Sequence, residues 1–84
     1  MNIWSLYSFV SRSKQRKKVF LLLESPKTPT EIGEEAKVSV SHVSRTLREF
    51  AEKGIVKCLT PDEKVGRIYG LTKEGKLLLK KMRK

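Results

Sequence analysis

Two helix-start signals, Thr28 and Ser39, stand eleven residues apart and leave room for little besides one two-turn helix and a turn. In Thr28-Pro29-Thr30-Glu31 the threonine can accept from the N–H three residues on, Pro29 suits a first helical turn, and Glu31 can reach back to the cap. The spacing predicts a short helix to about Ala36 or Lys37, with Ile32 and Ala36 inward, and then a turn of about three residues. Ser39 opens a longer helix over about 39–53, which stops before Gly54, a residue suited to left-handed termination.

The flanking segments supply the rest of a small core. From about Ser13, SKQRKKVFLLLES places Val19, Leu22 and Leu23 on one helical face with Phe20 at its edge, and Ser25-Pro26 ends it. After Gly54 come IVKCLT, PDEKVG and RIYGLT, two strand-favouring runs around a Pro/Asp/Gly tip, which read as a β-hairpin over 55–72. Tyr69 and Leu71 are expected to close the core, and Cys58 to be a small buried apolar residue. Thr72 caps a last helix in which Gly75, Leu78, Leu79 and Met82 share a face. The fold class is mainly α with a hairpin, in the order helix, helix, turn, helix, hairpin, helix, and 84 residues suit one domain, 1–84.

The longer helix divides by angle. At 100° per residue, Thr46, Leu47 and Phe50 fall within about 60° of Val43, while Ser41, Arg45 and Arg48 lie opposite and His42, Ser44 and Glu49 flank them. Val43, Leu47 and Phe50 are therefore core. Small hydroxyls permit close approach, and arginine can pair bidentately with guanine O6 and N7, so the outward face suits a major groove. A solvated charged face is the bland alternative, but a helix-turn-helix places its second member for groove insertion. Nineteen Lys and Arg against nine Asp and Glu, a net charge of +10, favour a polyanionic partner.

TEIGEEAKVSVSHVSRTLREFAEKGIVKCLTPDEKVGRIYGLTKEGK resembles the core of winged helix-turn-helix transcription regulators of the MarR-like and ArsR-like kinds, especially small archaeal ones. VSVSHVSRTLREFAEKGIV and RIYGLTKEGK are its most specific parts, within a match over about residues 19 to 82. The resemblance implies sequence-specific binding of double-stranded DNA. The helix at 39–53 would enter the major groove, the hairpin would act as a wing on backbone or minor groove, and the terminal helices would form a two-fold dimer. Val40, Ser41, His42, Ser44, Arg45 and Arg48 occupy the positions where the family makes DNA contacts. In the wing, Lys64 and Arg67 flank the tip, although Asp62 and Glu63 beside them would be repelled by phosphate. A winged-helix module that docks on a protein, with its charge incidental, is the alternative.

SRSKQRKK, residues 11 to 18, carries five basic residues in eight. A helix starting at Ser13 would crowd these cations at its positive end, which costs stability unless an anion relieves it. Either Lys14, Lys17 and Lys18 meet phosphate, or the helix begins earlier. Extended back, it sets Ile3, Leu6, Tyr7 and Val10 in an apolar stripe that would face away from Val19, Leu22 and Leu23. Such a stripe predicts a homodimer, with residues 1–12 as a helical extension and Trp4 and Phe9 packed against the partner; Leu77 on the last helix could join the seam. The rival is a kink near Ser11 to Ser13 that folds the stripe onto the chain's own core. A membrane-surface anchor ranks last, because serines dilute the apolar face.

Other chemistries find little support. Ile3 to Val10 is far shorter than the roughly 20 residues of a membrane span, and its basic residues follow the apolar run, unlike a signal peptide. One cysteine gains nothing from an oxidising compartment, so a cytoplasmic chain is expected. Ser41, His42 and Ser44 are too close in sequence to face one another as a nucleophile and base, and no catalytic residue is assigned. Cys58 and His42 alone cannot build a four-ligand zinc site, so no metal or cofactor is expected and any small-molecule effector is unspecified.

Overall fold

The computed structural model describes residues 2–83; Met1 and Lys84, the ends of the expected 1–84 domain, lie outside them. Helices α1 (Ile3–Ser11), α2 (Lys14–Leu22), α3 (Pro29–Ala36) and α4 (Val40–Glu52) are followed by strands β1 (Val56–Cys58) and β2 (Tyr69–Leu71) and by α5 (Lys73–Met82). Each start has a side-chain cap, because the first N–H groups of a helix lack intrahelical partners. Thr28 Oγ1 accepts from Glu31 N–H while Glu31 accepts from Thr28 N–H at 2.8 Å, a complete capping box. Ser39 accepts from His42 N–H and Thr72 from Gly75 N–H. The expected helices and their caps are present, and together they form a winged helix-turn-helix fold.

Three residues, Lys37 to Ser39, separate α3 from α4. Lys37 takes the left-handed conformation, φ 58° and ψ 47°, and Val38 N–H donates back to Gly33 O. Gly33 fixes how closely α4 starts to α3. A Cβ there would stand 2.8 Å from the Val38 carbonyl oxygen, so any larger residue would push the turn outward.

The core gathers one face from every helix. Val19, Phe20 and Leu23 of the α2 region meet Ile32, Val43, Leu47 and Phe50, with Leu78 and Leu79 closing from α5. Phe20 and Phe50 pack edge to face with ring centroids 5.7 Å apart. The expected α2 face is rotated slightly: Phe20 is fully buried and Leu22 only half-buried, because α2 ends at Leu22 and its aromatic ring is drawn to Phe50. The hairpin ladder comprises three pairs, Val56↔Leu71, Lys57↔Gly70 and Cys58↔Tyr69, and Lys27 bridges the free edge of β2 at Tyr69. Leu71 is buried and Tyr69 half-buried against the core, while Cys58 is half-buried and not enclosed, at the far end of this short ladder.

The N-terminal stripe takes the kinked arrangement. Ser13, at φ −121° and ψ 124°, leaves the helical conformation and caps α2, so α1 and α2 are separate helices. The turn brings Leu6 and Val10 into the same cluster as Val19 and Phe20, and Val10 is fully buried. The expectation that this stripe and Phe9 need a partner surface is thereby corrected. Phe9 packs edge-on against Phe50 at 6.3 Å, beneath the Arg16 guanidinium at 4.0 Å. Trp4 remains 60 % exposed, with Lys81 over its ring, and Leu77 is 50 % exposed. Among the described residues no helix is long and apolar enough to cross a membrane.

Candidate nucleic-acid interface

Burial on α4 follows the angular division of its sequence. Val43, Thr46, Leu47 and Phe50 are buried, whereas Ser41, His42, Ser44, Arg45 and Arg48 are exposed, and Val40 presents an apolar side chain at the helix start. Among the described residues neither Arg45 nor Arg48 is paired with a carboxylate. For Arg45 that freedom has a structural cause. Glu49, one turn beyond Arg45 and suited to an i,i+4 pair with it, is held instead by Arg16 Nε at 3.5 Å.

Arg16 acts as a staple between three helices. Besides holding Glu49 on α4, it lies over Phe9 and donates from Nη1 to Phe9 O at 3.0 Å, at the C-terminal part of α1. In the sequence Arg16 is one of five basic residues in eight, and the mark that sets it apart is Glu49, the one acid at the flank of the α4 face and within reach of α2.

The start of α2 lies beside α4. Arg12, Gln15 and Arg16 join His42 and Arg45 around a shallow depression of about 310 Å3, so the basic segment and the outward helix face form one surface. Gln15 and Arg12 were not singled out from the sequence. The first turn of α2 contains no acidic residue, so the crowding of cations at its positive end is real. Lys14 and Lys17 are exposed there. Lys18 is directed elsewhere, its ammonium donating to Ala36 O at the end of α3, 3.2 Å away.

At the hairpin tip Lys64 is exposed and, among the described residues, free of carboxylate partners. Arg67 Nε donates to Glu63 O at 2.6 Å, closing the loop on itself. Between them Val65 is 86 % exposed next to Gly66, at φ 70°, which permits the sharp reversal. Among the described residues no group of three or more His, Cys, Asp or Glu side chains could hold a metal ion.

A helix-turn-helix whose second member turns an unpaired cationic face outward, followed by a hairpin and a closing helix, defines a winged helix-turn-helix domain. The chain belongs to the HVO_A0261 N-terminal domain family, which matches residues 4–84. Its structure is similar to TubR bound to 24 bp of tubC, from Bacillus thuringiensis serovar israelensis pBtoxis, with a TM-score of 0.85 at 16 % identity, covering 99 % of this chain and 94 % of that one. It is also similar to a mutant of Lactococcus lactis ZitR in complex with DNA, with a TM-score of 0.71 at 20 % identity, covering 84 % of this chain and 50 % of that one. A MarR family transcription regulator gives 0.73 at 20 % identity, covering 94 % and 59 %. The chain thus spans about half of ZitR and three fifths of the MarR family protein. At these identities the likeness shows a shared fold. No curated protein matches the chain in sequence.

Proposed function

We propose that this chain is a transcription regulator that binds double-stranded DNA, with α4 in the major groove. The observation that carries the reading is the exposed set Ser41, Ser44, Arg45 and Arg48, kept clear of carboxylates while Arg16 holds Glu49 aside. Val40 and His42 complete the edge of this face, Val40 as an apolar contact suited to a thymine methyl group. Lys14 and Lys17 at the start of α2 supply phosphate contacts that set the register, and Lys18 joins them if its ammonium leaves Ala36 O. In the wing, Lys64 meets backbone or minor groove, and Arg67 does so with the part of its guanidinium not used on Glu63. TubR bound to 24 bp of tubC and ZitR in complex with DNA support the reading, because each combines this fold with DNA.

Two copies reading a palindrome would place their α4 helices about 34 Å apart. With Leu6, Val10 and Phe9 used inside the chain, the seam of such a homodimer falls on what α1 and α5 still expose, chiefly Trp4 and Leu77. Sedimentation of Trp4→Ala/Leu77→Lys should then report monomer where the parent reports dimer. A dimer that survives both changes places the seam elsewhere.

Fluorescence anisotropy on duplex DNA across salt concentrations tests the main proposal. Binding should weaken steeply with salt, with a slope in log–log form of about 0.9 per phosphate contacted. Arg45→Ala should cost about 1 to 3 kcal/mol and relax the preference at one base position, whereas Lys17→Ala should weaken all sequences alike. No binding at low salt overturns the DNA reading in favour of a protein-docking module.

A further inference from the structure

The hairpin, the end of α2 and α5 enclose a groove of about 450 Å3 that is lined by none of the residues assigned to DNA on α2, α4 or the wing. Its size falls within the roughly 300–1,000 Å3 of small-molecule pockets. Leu23, Leu59, Leu71 and Leu79 form an apolar floor. Three of them are almost wholly covered by the fold, but Leu59 is 42 % exposed and offers its side chain to the groove.

Gly70 sets the position of Leu59 in this floor. It sits in β2 opposite Lys57, so the two share a face of the hairpin, and a Cβ at Gly70 would meet Leu59 Cδ1 at 3.0 Å. Glycine weakens a strand interior, and its presence often marks close approach by another group. Here the approaching group is Leu59, whose side chain lies over the bare backbone of Gly70 and is thereby held in the floor of the groove.

The rim is cationic. Lys57, Lys76, Lys80 and Arg83 line it against one carboxylate, Glu24, which Arg83 already pairs. A nucleic acid would satisfy these cations and leave the leucines wet. A second copy of the chain would have to set carboxylates against this rim, and with nine acids among nineteen Lys and Arg it has few to offer. An apolar chain ending in one anionic group satisfies both floor and rim. We infer that the groove binds a medium-chain aliphatic carboxylate, its chain on Leu59 and Leu79 and its carboxylate among Lys57, Lys76 and Lys80.

The occupied groove would act on the wing. Leu59 N–H donates to Ile68 O at 2.7 Å at the neck of the hairpin, and the tip with Lys64 and Arg67 lies immediately beyond. A ligand that displaces Leu59 therefore moves the base of the tip. Binding itself stands apart from the DNA reading; only this consequence rests on it.

Amide NMR titration of the DNA-free full chain with decanoate below its micelle concentration tests the site. Saturable shifts should cluster at Lys57, Leu59, Gly70 and Lys80. Decanol should bind roughly tenfold more weakly and decyltrimethylammonium should give no saturable shifts there. The exposed double change Lys57→Glu/Lys80→Glu should lose about tenfold in decanoate affinity with its amide spectrum otherwise kept. Gly70→Ala, which narrows the hollow, should weaken both decanoate and decanol. The proposal is overturned if decanoate shifts cluster elsewhere or not at all, or if decanol binds as tightly as decanoate. It also fails if the groove amides shift with protein concentration alone, the mark of a second copy. Adding decanoate to the anisotropy assay then reads the coupling. A change in DNA affinity in the parent that vanishes in the double variant supports it, and equal affinities with and without decanoate refute the coupling while leaving the site.

Discussion

Gly75→Ala should be among the most damaging single-methyl additions in this chain. Gly75 is the third residue of α5, and a Cβ built on it stands 2.1 Å from the Ile55 carbonyl oxygen and 3.1 Å from Leu71 Cβ. The first contact falls about 0.9 Å short of the 3.0 Å below which real Cβ contacts are essentially never seen, and the atom it meets is backbone. That backbone cannot yield freely: Ile55 O accepts from Thr72 N–H at 3.1 Å, and Thr72 Oγ1 donates to Gly54 O and accepts from Gly75 N–H. Overpacking costs about 1 to 3 kcal/mol, and loosening the Thr72 cap adds about 1. Alanine returns roughly 0.5 to 1 kcal/mol of helix propensity, leaving a net loss of about 1 to 3.5 kcal/mol. A domain of this size has a stability on the order of 4 to 13 kcal/mol and loses about 4 to 8 °C of Tm per kcal/mol. Thermal melts followed by far-UV circular dichroism should therefore show a fall of roughly 4 to 28 °C. Gly54→Ala is the control: at φ 77° with no heavy atom within 4 Å, it should suffer only the left-handed penalty of about 1 to 2 kcal/mol. A Gly75→Ala protein that melts within about 4 °C of the parent would refute the packing argument.

Arg16→Ala should lower stability by about 1 to 3 kcal/mol through loss of its contacts to Phe9, and should weaken DNA binding by releasing Glu49 towards Arg45. Adding Glu49→Gln should recover DNA affinity in anisotropy titrations without recovering Tm; a double variant that binds no better than the single contradicts this division of roles. The hydrogen bond from Thr28 N–H, then that with the Thr28 hydroxyl, holds the Glu31 carboxyl below its ordinary pKa. A depressed folded-state value means that Glu31 stabilises above the unfolded value of about 4.3 and ceases to as pH falls through the folded one. The Tm difference between parent and Glu31→Gln should thus narrow as melts move from about pH 6 to about pH 3, and a constant difference would show that the capping carboxylate is not responsible. Lys37→Gly should raise Tm by a few degrees, since it relieves a left-handed residue costing about 1 to 2 kcal/mol at a smaller loss of chain entropy; a lower Tm would mean that the lysine side chain outweighs the strain.

The α3–turn–α4 unit was legible because its determinants are local. Caps act within three residues and the α4 face follows from a fixed angular step, so Thr28, Ser39, Val43 and Arg45 could be placed without knowing what lay across from them. The N-terminal stripe was not legible in the same way. Its direction depends on one residue, Ser13, leaving the helical conformation, and serine is compatible both with continuing a helix and with capping the next. The fate of the basic residues was equally non-local. Arg16 and Lys18 differ from Lys14 and Lys17 only in what α4 and α3 place within reach of them, Glu49 in one case and Ala36 O in the other. The groove beneath the wing escaped notice because its lining comes from four separate stretches and its clearest mark is a missing side chain, Gly70.

Net charge alone does not explain why α4 turns unpaired arginines outward; the allocation of the carboxylates contributes. Glu24 goes to Arg83, Glu35 to Lys27, and Glu31 to the backbone of its own cap. Glu52, one turn beyond Arg48, makes no ion pair with it among the described residues; Glu49 is the acid of α4 that could have neutralised Arg45, and Arg16 holds it instead. Both partners are only partly covered, so the ion pair by itself adds little stability. Its larger effect is directional: it cancels an acid beside Arg45 with a cation from α2, so positive charge is transferred from the start of α2 to the exposed side of α4. Under the proposed DNA reading, a phosphate approaching this surface would meet Lys14 and Lys17, and a base edge would meet Arg45 without Glu49 competing for it. Arg16 would then contribute to DNA affinity without touching DNA, and replacing it should reduce binding even for a variant that contacts the same number of phosphates.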